Sequence, residues 1–209
     1  MKQLFILLVV VMLSGCKVMQ LSDFTMQPPL ATKLPALEIM MDKNPVNSMY
    51  AASPYYNPYY GGGMLTPDMQ TLCDKNLKEN ITNPIGERYG YAQFKIVVAQ
   101  SGLHGTGLYL LSVLTLGVPN LFGMPLFIAK TNLEVDLEIL NSKREIVALY
   151  KAEGNAKCPV AMYYGYRMMS APRMTNILSV KMALKSINEQ IEKDAPMLRM
   201  KLIESGAIK

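Results

Sequence analysis

The sequence predicts an α+β domain: a mainly antiparallel sheet of four to five strands with two helices packed on one face. Three observations predict it. Apolar and polar residues alternate over Leu34 to Met41, Gly90 to Gln100 and Thr131 to Ala152, the period of strands with one wet side. Apolar residues recur at spacings of three and four in two other stretches, one opening at Thr66 and one at Ser170. The resulting order is β-α-β, an apolar excursion, β-β and α, in one domain spanning residues 34–209.

In the first strand Leu37, Ile39 and Met41 alternate with Glu38 and Met40, and Asp42 and Pro45 close it. Residues 42–65 then form a long Tyr/Gly-rich loop, with Tyr50, Tyr55, Tyr56, Tyr59 and Tyr60 beside Pro54, Pro58 and Gly61-Gly62-Gly63. Loops beyond about 12–15 residues in compact domains are usually functional or disordered. Tyrosine gives large contact area with a polar tip, so one reading is a partner-binding loop and the other an insertion folded over the domain's own surface. Thr66-Pro67-Asp68 starts a helix, with a hydroxyl at the N-cap, Pro at the first position and an acid in the first turn. Met69, Leu72, Cys73, Leu77 and Ile81 share its inner face until Asn83-Pro84 and Gly86 break it.

From Gly90, Ala92, Phe94, Ile96 and Val98 fall on one face of a strand and Tyr91, Gln93 and Lys95 on the other. Gly105 to Ala129 follows without a single charge, but Gly117, Pro119, Asn120, Gly123 and Pro125 would break one continuous transmembrane helix repeatedly. Two segments, Leu108 to Leu116 and Leu121 to Ile128, bend around Val118-Pro119-Asn120. Three fates compete for them: a core hairpin, a bilayer-inserting element and an oligomer interface. We expect the core, with Leu114 and Leu121 buried, because a barrel wall needs polar alternation that this stretch lacks.

Leu133, Val135, Leu137 and Ile139 alternate with Glu134, Asp136 and Glu138; Asn141 to Arg144 supplies a turn, and Glu145 to Ala152 returns as the partner strand. The carboxylates of this hairpin read as a solvated strand face. A second tyrosine cluster, Tyr163, Tyr164 and Tyr166, is a further candidate contact surface. Ser170-Ala171-Pro172 opens the longest helix, with Ile177, Val180, Leu184, Ile187 and Ile191 inward; Asp194 and Pro196 should interrupt it near Lys193, leaving a shorter helix to Glu204.

Ahead of the domain, Met1 to Cys16 holds a charged start at Lys2, an apolar run from Leu4 to Leu13 and small residues at the end. A run this short fits a cleaved export signal, residues 1–15, and falls short of the roughly 20 apolar residues of a membrane span. Leu13-Ser14-Gly15-Cys16 resembles the lipobox of bacterial lipoproteins at every position. That resemblance implies a diacylglyceryl group on the Cys16 sulfur, removal of the preceding peptide and acylation of the new amino terminus. Several acyl chains on one residue hold a protein at a membrane, since each buried methylene contributes about 0.8 kcal/mol. Residues 16–33 then read as lipidated Cys and tether. Lys17 stands where the enteric pathway's inner-membrane retention signal has Asp, so the outer membrane of a bacterial envelope is the expected address. Over Leu34 to Lys193 the order of elements resembles the small periplasmic domain of the Tol-system translocation protein's N-terminal part, of lipoprotein activators of peptidoglycan synthases and of the curli secretion lipoprotein. Order alone carries that resemblance, and no residue's role comes with it.

Half of the 209 residues are apolar and 18% charged, which argues for a folded chain. The net charge of +5 is scattered, suiting an anionic membrane surface weakly and giving no sign of nucleic acid. With Cys16 assigned to lipid, Cys73 and Cys158 read either as a disulfide, in an oxidising compartment, or as two buried thiols. No metal-ligand spacing, phosphate loop or nucleophile motif occurs, and His104, the only histidine, sits among Gly102, Gly105 and Gly107 as a turn residue. We expect no cofactor, no metal and no catalysis. The leading expectation is a protein-binding or assembly module attached to the membrane through Cys16, with another envelope protein as partner and self-association left open. Its alternatives are an outer-membrane pore or secretion subunit inserting the 105–129 hairpin, and a lipid or cell-wall ligand binder using the many methionines.

Replacing Cys16 with Ala should abolish incorporation of labelled lipid and release the protein from membranes. Retention of that variant in a carbonate-washed membrane fraction would place the anchor elsewhere.

Overall fold

A computed structural model of the chain describes residues 25, 28–41, 67–161, 165–168 and 170–208. The expected export signal (residues 1–15), Cys16, Tyr50, Tyr55, Tyr56, Tyr59, Tyr60, Tyr163 and Tyr164 lie outside them. The fold is α+β, with four strands: β1 (Ala36–Met41), β2 (Arg88–His104), β3 (Phe127–Asn141) and β4 (Ile146–Val160), in that order across one sheet. β1 pairs parallel with β2, and the β2–β3 and β3–β4 pairs are antiparallel. Helix α1 (Pro67–Lys75) continues as a π-helical segment (Asn76–Ile81). Helices α2 (Thr106–Leu114) and α3 (Val118–Leu121) lie between β2 and β3, and α4 (Ala171–Glu204) closes the chain.

The core forms where the sequence alternates. Ala92, Phe94 and Ile96 of β2, Leu133, Val135, Leu137 and Ile139 of β3, and Tyr150 and Ala152 of β4 are buried against Ile177, Val180, Leu184, Ile187 and Ile191 of α4. Met69, Leu72, Cys73, Leu77 and Ile81 all point into the same core, as their shared helix face predicts. On the opposite sheet face two of the hairpin carboxylates are paired, Glu138 with Lys95 at 2.7 Å and Asp136 with Lys151 at 3.4 Å. These are half-solvated pairs, so they add little stability.

Three features depart from sequence expectation. The α4 helix does not stop near Lys193 but runs through Pro196 to Glu204. Proline removes one helical hydrogen bond, yet Ala195, Leu198 and Leu202 continue the buried stripe of Ile187 and Ile191, and that burial outweighs the loss. A register shift between Ile96 and Val98 interrupts the simple alternation of β2. The end of the proposed tether is part of the domain, because Leu30 and Leu34 are buried and donate their N–H groups to Asn80 and Ile81 carbonyls of the π-helical segment.

The approach of α4 to the sheet is set at Gly154. A Cβ added there would lie 1.8 Å from the Ser179 carbonyl oxygen. Two buried polar nodes fix the helix along its axis. The side-chain amides of Asn76 and Asn188 donate to each other at 2.9 and 3.2 Å, and Asn80 donates to Asn76 at 2.8 Å. Thr131 of β3 lies 2.8 Å from both the Thr175 hydroxyl and the Asn176 amide oxygen, to which it donates.

Gly154→Ala should destabilise the domain by about 1–3 kcal/mol or more in urea unfolding, because backbone must retreat from an added methyl. Gly107→Ala, where a Cβ meets nothing within 4 Å, should not lower stability.

Candidate functional site

The feature that no fold requirement explains is the connection between β2 and β3. Gly105, at φ +109°, turns the chain out of β2 and opens α2. The helix ends through Leu116, at φ +52°, and Gly117, at φ +76°; α3 follows, and Gly123 at φ +96° turns back toward β3. Leucine rarely adopts a left-handed conformation, which costs it about 1–2 kcal/mol. Here that strained residue is 93% exposed.

The polarity of this excursion is inverted. Ser112 and Asn120 are buried within it, and the Ser112 hydroxyl donates to the Asn120 amide oxygen. The Asn120 amide nitrogen in turn donates to the Met124 carbonyl at 2.9 Å, and Thr115 donates to the Leu111 carbonyl at 2.6 Å. Outward stand Leu110, Leu114 (72% exposed), Leu116, Leu121 and Phe122 (87% exposed). The expected burial of Leu114 and Leu121 is therefore overturned. Helices α1 and α4 already cover the apolar sheet face, leaving this stretch no core to complete.

Its root is rigid. The Tyr109 ring stacks on Phe127 with centroids 5.3 Å apart, and Leu126 donates its N–H to the Val160 carbonyl. Beneath lies a second, smaller core of Ala129, Cys158, Val160, Tyr166, Ala171 and Met174. Tyr166, a candidate contact residue by sequence, is 5% exposed in that core, so its ring serves packing and not an outer surface. His104 is exposed at the end of β2, beside the excursion.

No bridge joins Cys73 to Cys158. Cys73 is a free thiol in the main core, while Cys158 is buried in the second one, so the two sulfurs belong to different clusters. Burial, and then the charge of Asp74, pushes the Cys73 thiol up to about 12. Burial also raises the Tyr150 hydroxyl, which donates to Asp194 at 3.2 Å, with the Asp194 charge acting the same way. Arg173 is held charged by Asp68, with which it forms a two-point pair, although burial acts weakly against it. All three are structural positions away from the excursion. Among the described residues no cluster of His, Cys, Asp and Glu could hold a metal ion. Two concave surfaces are open and mainly polar, one lined by Gln100, Asn132, Glu134, Glu153 and Asn155 and another by Lys33, Asn83 and Arg199; a third, beside Val97, Asp136, Lys151 and Ser186, is of mixed polarity.

In native protein near pH 8, Cys73 should resist alkylation and react only after unfolding. The unfolded thiol ionises near its ordinary value of 9.0 while the folded one keeps its proton to about 12, so stability should fall as pH rises through that window. Denaturation midpoints at pH 8 and pH 10.5, compared with those of Cys73→Ala, measure this. No protein-family model matches the chain and no curated protein matches it, so the excursion's role is argued from its own geometry.

Proposed function

We propose that the chain is a non-catalytic envelope lipoprotein: a domain anchored through acylated Cys16 that serves as an assembly module, holding another envelope protein at the membrane. One observation carries this reading. The α2–α3 excursion presents exposed leucines, valines and phenylalanine with no charge from Gly105 to Ala129, on a packed base. Contiguous apolar patches of this kind mark surfaces that meet a protein or a membrane, because water disfavours them. Among the described residues, Cys73 and Tyr150 carry the large titration shifts, and both are set by packing in the core or by the neighbouring Asp194. The Tyr-rich segment at 42–65 remains the candidate protein-contact loop.

The pore reading gains less support. A barrel wall is built from strands alternating apolar and polar residues, whereas residues 106–114 and 118–121 are helical. The ligand-binder reading would need an apolar cavity, and several methionines that could line one, Met168, Met182, Met197 and Met200, lie at the surface.

The test is labelling and cross-linking in intact envelopes. The natural chain should incorporate labelled fatty acid and form a discrete cross-linked adduct with another envelope protein; deleting residues 50–63 should remove the adduct and keep the label. A chain without lipid label, or one that yields no adduct, would overturn the reading.

A further inference from the structure

We infer that the α2–α3 excursion is a second membrane contact, seated in the headgroup and upper acyl region of the bilayer that holds the lipid anchor. This deepens the anchored-envelope reading and rests on it.

The inverted polarity points to a lipid. In an apolar solvent each polar group must be satisfied internally and the outward surface must be apolar. The outer part of the excursion, from Ser112 to Met124, follows this pattern. Its buried side chains, Ser112 and Asn120, bond to each other and to the Met124 carbonyl. Its turns are closed by backbone bonds from Thr115 to Leu111, Gly117 to Ser112, Phe122 to Pro119 and Met124 to Pro119. The exposed positions Leu110, Leu114, Leu116, Val118 and Phe122 spread over both helices and the turns that follow them.

Charge complements this placement. From Arg88 to Leu133, and again from Gly154 to Asn188, the chain contains no Asp or Glu. The residues nearest the root of the excursion that carry charge are Lys130 and Lys157, which face each other across β3 and β4, and Arg167, next to the Tyr166 bridge to Val160. An apolar tip with cations at its base and an aromatic ring, Tyr109, between them suits an anionic bilayer surface.

The dimensions fit a shallow seat. A nine-residue α2 is about 13 Å long and cannot cross a hydrocarbon core of about 30 Å. No helix among the described residues is long and apolar enough to cross. The tether enters at the opposite end, where Ala36 pairs with Arg88, about 50 Å along β2 from the excursion. Between Cys16 and Leu30, whose N–H is bonded to the Asn80 carbonyl, the chain can span at most roughly 50 Å. Both ends of the sheet can therefore attach at once, giving the domain one fixed orientation.

The chain has no tryptophan, so Phe122→Trp provides a single reporter at the tip and Ile146→Trp a single reporter at the far end. Each full-length acylated protein is placed in vesicles of phosphatidylethanolamine and phosphatidylglycerol containing lipid with brominated acyl chains. The expected result is a blue-shifted emission at position 122 that the bromines quench, with water-like, unquenched emission at position 146. Adding Leu114→Asp and Leu116→Asp to Phe122→Trp should leave circular dichroism and membrane retention unchanged and abolish the quenching. Unquenched emission at position 122, equal quenching at both positions, or quenching that survives the Asp changes would overturn the proposal. If position 122 is unquenched but cross-links to a second copy or another protein, the excursion is a protein interface and the assembly reading stands. If the chain carries no lipid and leaves the membrane, the anchored reading itself falls.

Discussion

The contact on which the rest of the structure depends is the crossing of α4 over β4 at Gly154. A hydrogen in place of a side chain lets the Ser179 carbonyl sit directly over the strand backbone. That closeness brings Ile177, Val180, Leu184 and Ile187 down onto β3 and β4 along most of the helix. The residues flanking Gly154 on the same face are small, Ala152 and Ala156, which keeps the groove shallow enough for the helix to lie flat. Closer approach increases dispersion contact along the whole interface, and interiors at crystalline density gain most of their stability that way.

Hydrophobic contact alone would let a 34-residue helix slide by a turn. The polar nodes oppose this. A shift of α4 by one turn would separate Asn188 from Asn76 and Thr175 from Thr131, leaving buried amides and hydroxyls without partners at about 1–3 kcal/mol each. The Asn76–Asn188 pair also ties α1 to α4, so both helices sharing the sheet face are locked to each other as well as to the strands. At the far end Ser142 donates to the Ser205 carbonyl and Ile208 to the Arg88 carbonyl, holding the helix terminus to the β3–β4 turn and the start of β2.

This fully occupied face explains the excursion. Strands β2 and β3 run well past the main core, and at their end the sheet is covered by the small cluster around Ala129, Val160 and Tyr166. A leucine-rich segment inserted there finds no apolar surface wide enough to bury it, yet folds because its own polar groups close on one another. Each exposed large apolar side chain forgoes roughly 1.5–3 kcal/mol relative to full burial, a reserve that a second apolar surface would recover. The inverted segment and its acid-free flanks support the proposed contact with a membrane.

Periodicity is a local property, and what it encodes was legible in the sequence. The period-two runs of β2 and β3, the turn at Asn141 to Arg144, the inner face of α1 and the inward stripe of α4 each follow from residues a few positions apart. The α+β class follows from their order. Only the tertiary structure decided the rest, since it depends on residues distant in sequence. Pro196 passes inside a helix because Leu198 and Leu202 find a core beyond it. Tyr166 turns inward because Val160 lies beside it, and Cys73 and Cys158 remain apart because the chain builds two cores where one was expected. Leu114 and Leu121 read as core by composition. They stand outside because apolarity states a preference for burial, while the area available for burial is set by which elements have already covered the sheet.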